Sequence, residues 1–267
     1  MLQDSSRLLK PLLSLAQQAG VAILEIYRED NPEIEIKSDN TPVTKADLRA
    51  NEVIVQGLQD LTAEIPIISE ELKESPFVER KKWSQYWLID PLDGTKEFIE
   101  RTDEFTVNIA LIENEKPILG IVYAPALGIG YQACRGCGAF KYSDGGMYEF
   151  IQTRPYVAAE TVITVSRRHG KRVENYFAGL PHYKLHYCGS ALKICQVAEG
   201  VADIYPRFGK TSEWDTAAGQ CVLEEAGGKI IDLQGSELRY NTKPSLLNPE
   251  FMAIGDNKHN WLQYFTD

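Results

Sequence analysis

The sequence predicts a layered α/β fold, and three observations carry that prediction. Apolar residues recur at helical spacing near the start of the chain. Period-two alternation runs through its middle, and short strands alternate with helices in its last third. Leu8, Leu12, Leu15, Ala19, Ala22, Ile23 and Ile26 predict an amphipathic helix over 10–28. Pro11 is expected in its first turn, where the missing N–H does no harm. Residues 33–37 alternate as a short strand would. Thr44-Lys-Ala-Asp47 reads as a helix start, with Thr44 as N-cap and an acid three residues later. Ala46, Ala50, Ile54, Leu58 and Leu61 give that helix its buried face.

Two short apolar runs follow, over 65–68 and 86–89. Each stops abruptly in acid, at Ser69-Glu70-Glu71 and at Asp90-Pro-Leu-Asp93. Strands that end in polar turns place those turns at a sheet edge, where α/β sites form. Phe105, Val107, Ile109 and Leu111 alternate with polar or small residues, and 118–123 runs back, so a hairpin is expected. Glycines from Gly128 to Gly146 mark the turns of a meander. The second half contributes a strand over 162–165, a helix over 190–199, a strand over 202–205 and an Ala-rich helix over 216–226. Gly227-Gly228 stops that last helix. The chain thus divides softly near Pro155, into halves 1–154 and 155–267.

Composition narrows the function. The 28 basic and 38 acidic residues give a formal charge of −10, which disfavours a nucleic-acid polymer or an anionic lipid surface as partner. Surplus carboxylates suit uptake of divalent cations. No apolar run approaches the ~20 residues needed to cross a bilayer, and Met1 to Lys10 carries no signal-peptide pattern. The five cysteines, an odd number, predict free thiols in a reducing, cytoplasmic compartment. Cys134-Arg-Gly-Cys137 has the spacing of a redox or zinc pair. No second pair or histidines follow in register, so two packed thiols beside a Gly-rich turn are expected.

The sharpest chemical feature is Asp90-Pro-Leu-Asp93-Gly94-Thr95. Two aspartates three apart, stiffened by Pro91, can converge on one hard cation, with the Leu92 carbonyl between them. Gly94 permits close approach of a ligand. Thr95 offers a hydroxyl and a free amide at a helix start, which suits phosphate. An Asp-Pro turn with an N-cap fits the same residues. Glu70-Glu71 and Glu213-Trp-Asp215 are each readable alone as solvated acidic caps. Together they supply further carboxylates for a shared metal cluster, which would repel itself without cations.

These blocks, in this order, resemble the inositol monophosphatase superfamily of lithium-sensitive, Mg²⁺-dependent phosphatases. The matching segments are Ser69-Glu70-Glu71, Asp90 through Phe98, and Trp214-Asp-Thr-Ala-Ala-Gly219 with Glu225-Ala-Gly-Gly228. Thr95-Lys-Glu-Phe98, Phe105 through Leu111, Tyr123-Ala-Pro125, Gly189-Ser-Ala-Leu-Lys193 and Tyr205-Pro-Arg-Phe-Gly209 resemble its CysQ-type 3′(2′),5′-bisphosphate nucleotidase branch. The resemblance implies an αβαβα sandwich of the inositol monophosphatase/fructose-bisphosphatase kind, with mixed and antiparallel sheets. It implies two or three Mg²⁺ per site, held by Glu70, Asp90, Asp93, Asp215 and the Leu92 carbonyl. Asp47 matches a carboxylate near the water and an additional metal, and Thr95 with Glu70 the pair that activates the water. Residues Leu92, Asp93, Gly94 and Thr95 match the phosphate turn, beside Asp215. Ser190, Lys193, Arg207 and His169 match the groups that hold the nucleotide. Arg168 departs from the small residue usual beside His169.

The implied activity is removal of the 3′-phosphate from adenosine 3′,5′-bisphosphate, and of the corresponding phosphate from 3′-phosphoadenylyl sulfate, in sulfate assimilation. An inositol or sugar-phosphate phosphatase shares the metal site, and a non-catalytic ligand sensor could keep the fold. Any contact with a membrane is expected to be peripheral, on its cytoplasmic face. The oligomeric state is left open.

Overall fold

A computed structural model describes residues 2–29, 34–36, 42–167, 177, 179–180 and 182–264. Helix α1 (Leu2–Tyr27) begins ahead of the expected start, so Pro11 lies inside it rather than in its first turn. Burial of Leu12, Leu15, Ala16, Ala19 and Ile23 along one face carries the helix through the hydrogen bond that proline removes. Strands β1 (Ile34–Ile36) and β2 (Pro42–Thr44) pair antiparallel. Helix α2 (Lys45–Leu61) opens with Thr44 as N-cap, as expected. Strand β3 (Ile67–Ser69), helix α3 (Phe77–Arg80) and strand β4 (Gln85–Asp93) follow.

The strand β4 corrects one expectation. Asp90-Pro-Leu-Asp93 was expected as a turn after a strand. Instead the strand continues to Asp93, with its register to β5 broken between Asp90 and Asp93. Such a break bends a strand and re-aims its side chains. After it come α4 (Thr95–Ile99) and the hairpin of β5 (Thr106–Glu113) with β6 (Lys116–Ala124). Strands β7 (Ile129–Cys134), β8 (Gly138–Ser143) and β9 (Tyr148–Ile151) complete the meander. The seven strands stand in sequence order from β3 to β9, with β3 and β4 parallel and the rest antiparallel.

The second half supplies β10 (Thr161–Val165), β11 (Tyr183–Tyr187), α5 (Leu192–Ala198), β12 (Ile204–Arg207), α6 (Glu213–Glu225), β13 (Lys229–Asp232) and β14 (Phe251–Ile254). Its mixed sheet has the order β11-β10-β12-β14-β13. Strands β11, β13 and β14 are additions to the sequence reading. Strands β13 and β14 are short and lack alternation, so no period marks them, whereas Tyr183-Lys-Leu-His-Tyr187 does alternate but is short.

Layering follows from which faces are apolar. Helices α1 and α2 cover one face of the large sheet, against Trp87, Ile89, Ile109 and Ile121. Helices α5 and α6 lie between the two sheets, in a core that joins Leu88, Ile112 and Val122 to Ala218, Val222, Tyr205 and Ala253. The far face of the second sheet packs with Phe177, Leu180 and Trp261, the last in a 3₁₀ turn over Trp261–Tyr264. This is the helix–sheet–helix–sheet sandwich with a further outer layer that the family resemblance implied. Tyr86 and Trp87 are core residues, as their strand position predicts.

The cysteines correct a second expectation. Cys134 and Cys137 are joined by a disulfide across the β7–β8 turn, while Cys188, Cys195 and Cys221 are free and buried. The turn brings the two Cα atoms to 5.2 Å, a separation that permits the bond.

Helix α6 approaches the large sheet at Gly120, where an added Cβ would lie 2.4 Å from the Ala218 carbonyl oxygen. Gly120→Ala should therefore push α6 off the sheet and destabilise the protein by about 1–3 kcal/mol. At roughly 2–4 °C per kcal/mol for a chain of this size, thermal denaturation should show a loss of several degrees. An unchanged Tm would mean that α6 is not seated this closely.

Candidate active site

Side-chain alternation along β4 points Asp90 to the α6 side, in line with Tyr86 and Leu88. Asp90 is 2% exposed, and its Oδ1 accepts from the Leu92 N–H at 3.0 Å. Beyond the register break, Asp93 Oδ2 accepts from the Ala191 N–H at 2.6 Å and from Asn108 Nδ2 at 3.5 Å. Gly94 follows at φ +90°, and a Cβ there would press on Ser190 Cβ at 3.3 Å, so glycine suits both the backbone and the space.

Two helix starts supply further carboxylates. At α2 the Thr44 N–H and hydroxyl donate to Asp47 Oδ2 at 2.8 and 2.7 Å. Its other oxygen, Oδ1, accepts from the Thr95 hydroxyl at 3.3 Å. At α6 the N-cap is Ser212, whose N–H donates to Asp215 Oδ2 at 2.9 Å. Each aspartate spends one oxygen on capping its helix. The acidic-cap reading and the site reading therefore describe the same residues. The Ser-x-x-Asp spacing of 212–215 is a capping signal in the sequence that the reading of a helix over 216–226 passed over.

Carboxylate oxygens of Glu70, Asp90 and Asp215 lie within 4.8 Å of one another. Burial pushes Asp90 well above the usual carboxylate range, and the charges of Glu70, Asp93, Asp215 and Asp47 push it further. Burial and then the charge of Asp93 raise Asp215, against the pull of the Ser212 N–H. Asp93 is raised by burial to about 6, although the Lys193 charge works against the rise. Burial raises Asp47 as well, opposed by its bonds from Thr44. So crowded a set of oxygens, strained by its own charge, fits a hard divalent cation.

The cluster opens into a cleft of about 590 Å³ lined by Glu70, Asp90, Leu92, Thr95, Trp214 and Arg207. Trp214, open between core anchor and site wall in the sequence, is both: it packs on the central core and lines the cleft. A cavity of about 180 Å³ adjoins, shared through Asp93, Arg207 and Asp215. Ser190 reaches it at φ +42°, its buried hydroxyl without a partner among the described residues. Lys193 is 4% exposed, with its Nζ donating to the Ser190 carbonyl at 2.6 Å and lying 5.3 Å over the Tyr205 ring. Arg207 Nη2 donates to the Lys210 carbonyl at 3.0 Å, and its buried Nε has no partner among the described residues. The structure thus brings Glu70, Asp90, Leu92, Asp93, Gly94, Thr95, Ser190, Lys193, Arg207 and Asp215 around two adjoining cavities, with Asp47 behind Thr95. His169 and Arg168 lie outside the described residues. Lys96, Glu97, Thr211 and Phe251 also line the smaller cavity and were missed, Phe251 because β14 itself was missed.

Three comparisons bear on this site. The model of the inositol monophosphatase family matches residues 4–261. The chain is 47% identical over 247 residues to a protein of Escherichia coli O6:H1 named 3′(2′),5′-bisphosphate nucleotidase CysQ, covering 91% of this chain and 98% of the relative. It is 37% identical over 270 residues to the like-named protein of Haemophilus influenzae, covering 99% of each. The crystal structure of CysQ from Bacteroides thetaiotaomicron superposes with a TM-score of 0.80 at 37% identity, covering 92% of this chain and 96% of that one.

The raised carboxylates set the sign of a pH dependence. Between the ordinary value of 3.8 and the raised folded value, about 6 for Asp93, the folded chain holds more protons than the unfolded one. Without metal, stability should therefore fall as pH rises through that window, so these groups favour a higher Tm at about pH 5.5 than at about pH 7.5. Saturating divalent cation should close the gap, adding about 2.7 kcal/mol at 100 times its Kd. Asp90→Asn should raise the metal-free Tm at neutral pH and blunt the cation-induced rise. Scanning calorimetry at both pH values, with chelator or cation, checks this; a cation-independent Tm would remove the cluster reading.

Proposed function

The chain belongs to the inositol monophosphatase family, and from that premise we propose that it hydrolyses the 3′-phosphate of adenosine 3′,5′-bisphosphate, giving AMP and phosphate, with Mg²⁺ as its cation. The observation that carries the proposal is the junction of the acidic cluster with the cavity reached by Arg207 and Lys193. The phosphate to be cleaved meets the carboxylates, and a second phosphate meets fixed cations that a monophosphate would not use. The name of the Escherichia coli relative supports the same substrate class. The proposal extends to 3′-phosphoadenylyl sulfate, whose sulfated 5′ end presents similar anionic oxygens, and to a cytoplasmic role in sulfate assimilation.

Glu70, Asp90, Asp93, Asp215 and the Leu92 carbonyl would hold two or three cations. Bound there, Mg²⁺ offsets the charge of the phosphoryl oxygens and makes water more acidic. The chain's own groups set the geometry. The Thr95 hydroxyl donates a hydrogen bond to Asp47 Oδ1, which leaves its lone pairs free to orient the attacking water. Glu70 takes the proton of that water. The water oxygen bonds to phosphorus, the bond from phosphorus to the 3′ oxygen breaks, and that oxygen takes a proton from solvent water while Glu70 returns its own to solvent. Arg207 binds the retained 5′-phosphate, and Ser190 fixes the nucleoside side. Lys193 adds charge to this pocket and, through its bond to the Ser190 carbonyl, holds the loop that meets Asp93.

Phosphate release from a panel of phosphomonoesters, with and without Mg²⁺, tests the proposal. Adenosine 3′,5′-bisphosphate should lead the panel, ahead of inositol and sugar phosphates. Arg207→Ala should lower kcat/KM for that substrate by roughly 10–150-fold, as expected for one charge-assisted contact of ~1.5–3 kcal/mol. It should scarcely alter hydrolysis of a small monoester. Lys193→Ala should harm both substrates, because it also frees Ser190 and raises Asp93. Equal losses on both substrates for Arg207→Ala would favour an inositol or sugar-phosphate phosphatase, and no release at all would favour a ligand sensor.

A further inference from the structure

The turn between β7 and β8 lies at the opposite end of α6 from Asp215. Its four residues, Cys134-Arg-Gly-Cys137, are closed by the disulfide and by the bond from the Cys137 N–H to the Cys134 carbonyl at 2.8 Å. Gly136 stands at φ +78° with nothing within 4 Å of where its Cβ would be, so the turn has room to change. Glu225, the last residue of α6, is seated on this turn. Its carboxylate accepts from the Gly136 N–H at 3.0 and 2.9 Å and from the Gly138 N–H at 3.0 Å. These bonds to a charged acceptor tie the end of the helix to the hairpin.

The two sulfurs differ in access. Cys134 is 1% exposed, whereas Cys137 is half-buried. The remaining thiols are inert by contrast: all three are buried, and burial pushes each above its ordinary value, Cys188 to about 11. In the reducing compartment of the cytoplasmic role proposed above, on which this inference rests, a disulfide is characteristically transient and redox-sensing rather than structural.

We propose that Cys134 and Cys137 form a reversible thiol–disulfide site, and that its state sets how firmly the C-terminal end of α6 is held to the large sheet. A thiolate of a dithiol reductant attacks the Cys137 sulfur. The protein S–S bond breaks, and Cys134 leaves as thiolate and takes a proton. The second thiol of the reductant then displaces Cys137, giving two protein thiols and one oxidised dithiol. The opened turn loses the constraint that aligns Gly136 and Gly138 on Glu225.

The full chain tests this under dithiothreitol or its oxidised form. Maleimide labelling of the folded protein should add one label, at the half-buried Cys137, and only after reduction, with the four buried thiols reacting only on unfolding. Hydrogen exchange at Gly136 and Gly138 should quicken on reduction by roughly tenfold or more, as for loss of one charge-assisted bond. The quickening should extend into the last turn of α6 and leave its first turn unchanged. The double variant Cys134→Ser, Cys137→Ser should exchange like the reduced form in either buffer. No labelling of the folded protein would overturn the proposal, as would simultaneous labelling of all five thiols. Identical exchange in the two redox states, despite labelling, would overturn the hold on α6.

Discussion

Mutual repulsion among buried carboxylates is the constraint on which the rest of this fold turns. Glu70, Asp90 and Asp215 meet from three separate segments, and for Asp90 and Asp215 burial adds a desolvation cost to the like-charge repulsion. Nothing in such a cluster attracts its own members, so the surrounding backbone has to hold them. Asp47 and Asp215 are held because each is also the third residue of a helix start and accepts its cap's N–H. Asp90 and Asp93 are held by the Leu92 and Ala191 N–H groups. Every one of these contacts is a donor aimed at a carboxylate oxygen. The local rules that begin a helix or bend a strand are thereby used twice, once for the fold and once for the site.

That double use explains why the packing behind the cluster tolerates little slack. Asp215 is only as fixed as α6, and α6 is fixed by its contact with β6 at Gly120, where no side chain fits. The register break in β4 does the complementary task on the sheet. It lets one strand present Asp90 in its ladder and Asp93 beyond it, near Asn108 and the loop at Ser190. A straight strand would send residues at odd separation to opposite faces.

Much of this was legible in the sequence because its signals are local. Thr44 and Asp47 announce a capped helix, the 105–111 alternation announces a strand, and Asp90-Pro-Leu-Asp93 announces two carboxylates at the end of a strand. What failed was non-local. Strand β14 is four buried apolar residues without alternation, recognisable only once β12 and β13 flank it. Helix α1 runs through Pro11 because tertiary burial outweighs one lost hydrogen bond. The disulfide is the exception, being local: its cysteines stand three apart across the β7–β8 turn, and the odd cysteine count outweighed that spacing in the sequence. The Asp47–Thr95 bond joins residues 48 apart, so neither motif alone implied it.

Asp93 ties the large sheet to the loop that precedes α5. Its carboxylate belongs to the sheet of the first half, yet it accepts the Ala191 N–H of the second, and the Lys193 charge two residues on opposes its rise. The same ammonium holds the carbonyl of Ser190, whose hydroxyl faces the smaller cavity. A change in how that loop sits on its ligand is therefore felt by a residue of the acidic cluster. Arg207 is differently placed: it reaches both cavities from β12, is anchored on the Lys210 carbonyl, and its charge opposes the rise of Asp215. A change at Arg207 thus leaves in place every hydrogen bond that holds the carboxylates, whereas a change at Lys193 removes both the bond to the Ser190 carbonyl and the charge beside Asp93.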